Sequence, residues 1–322
     1  MTKGILINDL ELGYAPLSAF HFGRFMTDKE FHSNVFDSHI YIIAQRKEIT
    51  FSNFFYWEKE LELSFDIEQE DNKNIIRCRL PFLQENIAKD LTETIELRLH
   101  NRKSTPTKKV DPPFKGTQAF TIQSTNPSTG KTKMLAQFTP DKLFQNYWKG
   151  HVQAVFTGEY SEMLEYDVHY VGKSTEQNIC ERLSGHSTFQ EILTYQDSLS
   201  FKNVPSNEIM VLLFRVKDNN TMVKWGDDVT SEDISNYLTD YILPSDKTIS
   251  LDAEKALIKH LQPEYNRILY KSFPNKNDLI NQDYHSLILY GLTDPIKLNY
   301  KNGELNGNKD LGERNYISVE RK

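Results

Sequence analysis

The 322-residue sequence predicts an α+β fold, and three observations carry that prediction. The first hundred residues read mainly as strands. Residues 151–270 alternate strand and helix periods. A hydrophobic fraction of 38% with 12% aromatic residues supplies enough apolar mass for real cores and excludes a disordered chain. At ~100–200 residues per domain, the length accommodates two or three.

The elements follow in order. Segments 39-HIYIIAQ-45, 49-ITFSNFFYW-57, 60-ELELSFDI-67 and 74-NIIRCRLPF-82 are rich in strand formers. In the third, Leu61, Leu63 and Phe65 alternate with Glu60, Glu62 and Ser64, the period of a half-buried strand. Short helices are expected over 22–34 and 84–92. The stretch 98–116 combines prolines with Arg and Lys; it reads as a solvated linker, with a phosphate-contacting basic strip as the alternative. Strands 118–124 and 132–138 flank a turn containing Gly130-Lys131-Thr132. A P-loop needs glycine where Thr125 stands, and Pro127 removes an amide donor, so a hairpin turn is expected instead. Residues 140–149 suit a helix.

The second half is richer. Strands are expected at 152–160 and 166–172, joined by a polar turn at 161–163. After Gly172 the period changes, placing Ile179, Arg182, Leu183 and His186 on one helical face. Ser187 is the expected N-cap of a helix over 187–196, with Gln190 at the capping-box position. A buried strand at 208–216 and a helix at 231–242 precede the helix 251-LDAEKALIKHLQPEYN-266, which Pro263 ends. Glu254 lies on that helix's apolar stripe of Leu251, Leu257, Ile258 and Leu261. A carboxylate there is costly unless paired or metal-bound; the bland alternative is a head group at the stripe's edge, in water. In the polar tail, 286–292 and 296–300 read as strands, with a hairpin turn at Asn302-Gly303.

Other classes are removed. Cys78 and Cys180 lie far apart and outside any C-x-x-C pair, against a zinc ribbon or disulfide scaffold. The first residues show no signal-peptide pattern, and the apolar run 209–214 is far shorter than a membrane span. The expectation is a cytoplasmic protein without a membrane partner.

The order Gly158-Glu159-Tyr160, Tyr170-Val171-Gly172, Arg182, His186, Glu254 and Asn266 resembles the GIY-YIG nuclease superfamily over residues 151–270. The closest pieces are 170-YVGKS-174, Arg182 with His186 four further on, and 254-EKALIKHLQPEYN-266. The departures are a charge inside the first triplet and a long step from Arg182 to Glu254, which makes 218–249 an insertion. The resemblance implies a small three-stranded sheet flanked by helices at 149–271; the residue patterns outside it give a β-rich N-terminal domain (1–148) and a C-terminal extension (272–322) with a hairpin. It implies a metal-dependent endonuclease acting on DNA, in restriction or anti-phage defence by analogy. RNA as substrate, a silent binding module and homo-oligomerisation stay open.

The resemblance and elementary chemistry together assign roles. Glu254 ligates one Mg²⁺ or Mn²⁺, the substrate phosphate completing the site. Arg182 holds the scissile phosphate with its planar fork. Tyr160 and Tyr170 are the family's candidate bases; Lys173 and the metal favour a phenolate, and His186 is a competing base or relay. Asn266 orients Glu254 or a backbone group. Singly, each of these residues is more often an ordinary strand, surface or capping residue.

The net charge of −7 argues against a protein that is basic throughout. It does not oppose a local basic groove of Lys173, Arg182, Lys255, Lys259 and Arg267, because the acid excess sits in 58–71 and 227–240.

Overall fold

The computed structural model describes residues 4–88, 94–101, 112–126, 129–197, 207–223, 225, 229–275, 278, 280 and 285–321. The chain forms two compact units. The first comprises Met1–Arg46, Leu164–Leu199 and Glu208–Lys322; the second comprises Lys47–Met163 and Ser200–Asn207. The first unit therefore draws on all three segments of the sequence division.

The first unit opens with β1 (Gly4–Leu12), β2 (Leu17–Ser18), α1 (Ala19–Phe25), α2 (Lys29–Asn34) and β3 (Ile40–Lys47). The second unit follows as β4 (Ile49–Trp57), β5 (Glu62–Gln69), β6 (Ile76–Pro81), β7 (Thr94–His100), β8 (Ala119–Thr125), β9 (Thr132–Phe138), α3 (Pro140–Trp148) and β10 (Val155–Thr157). A 3₁₀ turn, Ser161–Leu164, leads back to the first unit through β11 (Glu165–Lys173). That unit then adds α4 (Ile179–Ser184), α5 (Ser187–Asp197), β12 (Asn207–Met222), α6 (Ser231–Asp240), α7 (Asp246–Leu261), β13 (His285–Leu292), β14 (Lys297–Tyr300), β15 (Gly303–Asn306) and β16 (Tyr316–Glu320).

One nine-stranded sheet organises the first unit, in the order β15-β14-β11-β3-β12-β1-β13-β16, with β2 paired to β12. It is nearly closed and barrel-like, in a mixed α/β protein dominated by strands. This corrects the expected small three-stranded sheet flanked by helices: β11, β3 and β12 are neighbours, but inside a much larger sheet. The physical reason lies in β12. Glu208 through Phe214 are all buried, so both faces of this strand are covered and neither edge is left open. β1 pairs with β12 antiparallel and with β13 parallel, which brings both ends of the chain into one sheet.

The layer covering β3 and β12 is explicit. Tyr41, Ile43, Ile209, Val211 and Leu213 pack with Ile179, Cys180 and Leu183 around α4, Phe189 and Ile192 of α5, and Phe22, Phe31 and Val35 from the α1–α2 region. The alternate residues Ile40, Ile42, Ala44, Met210, Leu212 and Phe214 are buried on the other face. α7 packs on β11 and β16.

The second unit holds a four-stranded sheet, β10-β6-β5-β4, and a three-stranded sheet, β7-β8-β9. Phe51, Phe65 and Phe120 form its aromatic centre, with ring centroids 5.0–5.3 Å apart. β8 and β9 pair antiparallel, as the hairpin reading requires; residues 127–128 between them lie outside the described residues. Of the stretch 98–116, residues 98–100 end β7, and 102–111 lie outside the described residues. No helix forms among the described residues of 84–92. A β14–β15 hairpin forms in the tail, but its turn is Lys301-Asn302, one residue before the expected Asn302-Gly303, because Gly303 already pairs with Tyr300. Both cysteines are free and buried.

Candidate functional site

The site begins with two antiparallel strands. In β11 and β3, Tyr170 opposes Ile43, Val171 opposes Ile42 and Gly172 opposes Tyr41. A bulge between Val168 and Tyr170 shifts the register, a device that re-aims the following side chain. Tyr170 and Tyr41 consequently share one face, stacked with centroids 6.0 Å apart at 28°. Gly172 makes this arrangement possible, since a Cβ there would meet Tyr41 Cζ at 2.5 Å and the Tyr41 hydroxyl at 2.6 Å.

Tyr41, rather than Tyr160, is thus the tyrosine on the strand beside β11. This revises the expected pair of signature strands. Residues 152–160 contribute only β10, which pairs with β6 in the second unit. Tyr160 belongs to that unit, its ring stacked on Phe144 at 5.1 Å and 5.7 Å from Phe156. The triplet before β11 in space is 39-HIY-41, with His39 where the signature has glycine.

Two contacts fix Tyr170 from behind. The side chain of Asn266 accepts from Val171 N–H at 2.9 Å and donates to Val171 O at 2.8 Å. Tyr265 N–H donates to His169 O at 3.1 Å. Of the two expected roles for Asn266, the structure shows the backbone one. The segment reaches β11 because α7 stops at Gln262, which takes a left-handed conformation (φ 47°) ahead of Pro263.

His186 lies between α4 and α5. α4 ends at Ser184, so His186 is not on its face as expected. Its Nδ1 accepts from Phe189 N–H at 3.2 Å, making His186, not Ser187, the cap of α5. Its ring lies 5.0 Å from Tyr170 and 5.9 Å from Tyr41. Burial, and then Arg182, hold its pKa below the usual imidazole value, so the ring is neutral.

Glu254 enters from α7 and is 7% exposed. Lys173 Nζ pairs with its Oε2 at 3.1 Å. Burial raises the Glu254 pKa above the usual carboxylate value, opposed by Lys173, Lys255 and Arg182. Burial also raises both tyrosines: Tyr41, where Tyr170 adds to the rise and Arg182 opposes it, and Tyr170, where Tyr41 and Arg182 oppose the rise and Glu254 adds to it. Arg182 itself is exposed on α4. Tyr270, half-buried and raised by burial and then by Glu254 and Tyr170, is a further member that the motif did not flag.

The other basic candidates are placed differently. Lys255 pairs with the buried Asp278 at 2.6 Å, and Lys259 Nζ donates to Phe273 O. Arg267 is exposed. The partners of Lys255 and Lys259 belong to a wider anchor for α7: Asp252 accepts from Tyr290 Oη at 2.7 Å and pairs with the fully buried Arg321. That anchor explains why the site needs the C-terminal strands.

Among the described residues no three His, Cys, Asp or Glu side chains group as metal ligands. Glu254 is the one carboxylate among the candidate site residues, with its Oε2 paired to Lys173; a lone carboxylate suits a hard cation completed by water and phosphate rather than a zinc centre. No protein-family model, curated protein or solved structure matches this chain. No helix of the described residues is long and apolar enough to cross a membrane.

Proposed function

We propose that this chain is a metal-dependent endonuclease that hydrolyses DNA phosphodiester bonds, working in the manner of the GIY-YIG nucleases. The observation that carries this reading is convergence: Tyr41 from β3, Tyr170 and Lys173 from β11, Arg182 from α4, His186 from the α4–α5 junction and Glu254 from α7 gather around one end of the sheet. The order along the chain suits the family once 39-HIY-41 takes the place of 158-GEY-160. The second unit is then an insertion between the two tyrosine strands and serves to choose the target.

The roles follow from the geometry. Arg182, exposed and electrostatically coupled to both tyrosines, grips the scissile phosphate. Tyr41 and Tyr170 supply the proton acceptor for the attacking water. His186 spends Nδ1 on the Phe189 amide, so its proton sits on Nε2; it donates, and the tyrosines remain as the base. Glu254 would hold Mg²⁺ or Mn²⁺ through its carboxylate, the ion taking the place of the Lys173 ammonium that now neutralises it. The bound ion supplies charge relief on the phosphoryl and leaving oxygens.

The test is Mg²⁺-dependent cleavage of plasmid and phage DNA beside structured RNA, with Glu254→Ala as control. Loss of about 10²–10³-fold is expected, the cost of removing one electrostatic contact to developing charge. Unchanged DNA cleavage by Glu254→Ala, or cleavage of RNA alone, defeats the proposal.

A further inference from the structure

The outer face of the β10-β6-β5-β4 sheet carries side chains that folding does not explain. The inner face is apolar and buried through Phe51, Leu63, Phe65, Ile67, Ile76, Cys78 and Leu80. On the outer face, Phe55 is 57% and Trp57 39% exposed, side by side with ring centroids 4.8 Å apart. Strand alternation and register place them with Ser64 and Asp66 on β5, Arg77 and Arg79 on β6, and Val155 and Thr157 on β10. The indole is held in place: its Nε1 donates to Ser64 Oγ at 3.0 Å, and the Arg79 guanidinium lies 5.4 Å from a ring centroid. Asn53, at φ 52°, donates its amide to Asp66 Oδ2 at 2.6 Å. All of these except Phe55, together with Glu62, border a cleft of about 580 Å³ within this unit, and Phe55 stands beside Trp57 at its rim.

We infer that this face binds an unpaired nucleotide of DNA. The chemistry is complementary in three ways. Phe55 and Trp57 offer flat π-faces for a base that has left its stack. Arg77 and Arg79 offer cations for the phosphate on either side. The Asn53–Asp66 pair presents an amide and a carboxylate to the polar edge of a base. Arg79 is free to turn toward a phosphate: its side chain is 58% exposed, and its partner Glu62 stands at 4.0 Å, the outer limit of an ion pair. A duplex edge supplies no exposed base plane, so the surface favours single-stranded or extruded nucleotides over paired ones. This inference rests on the nuclease reading for its choice of DNA, and gives the second unit a ligand of its own.

The experiment uses the full chain with EDTA, so that no cleavage occurs. Fluorescence anisotropy compares a labelled 16-nucleotide single strand, the same sequence as duplex, and its RNA counterpart. Wild type is expected to prefer the DNA single strand. Trp57→Ala should weaken that binding about tenfold, the scale of one lost base stack, and change duplex binding less than about twofold. Arg79→Gln, on an exposed side chain, should weaken it and flatten its salt dependence, which guards against misfolding of the Trp57 variant. Single-strand binding that is unaffected in both variants, preference for duplex, or preference for RNA overturns the inference. Glu254→Ala separates the two proposals: it should abolish cleavage and leave this binding intact.

Discussion

Tyr41 and Tyr160 lie in different units, and burial raises the hydroxyl pKa of each. Their surroundings differ in charge. Beside Tyr41 stand Tyr170, which adds to the large rise that burial causes, the neutral ring of His186, and the cation of Arg182, which opposes that rise without cancelling it. Beside Tyr160 stand Tyr147 and Glu159, which push its pKa further up, and the rings of Phe144 and Phe156. One phenol has a cation to stabilise its anion, while the other has only rings and a carboxylate. A tyrosine becomes a base through its neighbours, and spacing in the chain does not provide them.

The sharpest way to break this comparison is a pair of substitutions. Tyr41→Phe should lower cleavage by about 10²-fold or more, the usual contribution of a positioned proton acceptor. Tyr160→Phe should leave the rate within about twofold while costing the second unit little stability, because the ring packing is kept. Equal losses in the two variants would return Tyr160 to the chemistry.

A pH profile comes next. Both tyrosines of the site are raised by burial, so the reactive phenolate grows in only above neutral pH and the rate should climb on the alkaline side. Arg182 lowers both. Arg182→Gln should therefore move the alkaline limb to higher pH, in addition to weakening substrate binding. On the acid side, Glu254 takes up its proton above the usual carboxylate range, so activity should fade there earlier than for an exposed glutamate. An alkaline limb that stays put in Arg182→Gln removes the tyrosines from the titration.

Gly172→Ala should be intermediate. It forces a methyl group against the Tyr41 ring and should destabilise the protein by about 1–3 kcal/mol, as overpacking does. Cleavage should fall with the displaced ring, and urea unfolding beside a rate measurement reads both. Asn266→Ala should have the smallest effect, about 1 kcal/mol of stability for the lost clamp on Val171, with KM less affected than kcat.

Most of the candidate site residues stand out in the sequence for a physical reason, while Tyr41 and Tyr270 do not. Tyr170 and Lys173 sit on one strand, Arg182 and His186 at and just past the end of α4, Glu254 mid-way along α7 and Asn266 at its exit, places whose local geometry is written in short spacings. Tyr41 was hidden because Lys47–Met163 separates it from β11, and a nearer tyrosine stood ten residues before Tyr170. The visible signal was 39-HIYIIAQ-45, a strand with an aromatic at its start, but lacking the expected glycine. The sheet was under-read for a similar reason. β1 and β13 pair across nearly the whole chain, and no local pattern encodes such a partner. The buried run of β12 was the one hint that strands would be recruited on both sides.

The route of the chain through β3 and β11 has a consequence for insertion. The chain leaves β3 with Glu48 alone before β4, and returns through the 3₁₀ turn into β11, whose Asp167 pairs with Gln45. The insert thus starts and finishes at the mouth of one hydrogen-bonded ribbon. Closure entropy rises only slowly with the length spliced there. Segments of different length and content can therefore be spliced at that seam while β3 and β11 keep their pairing.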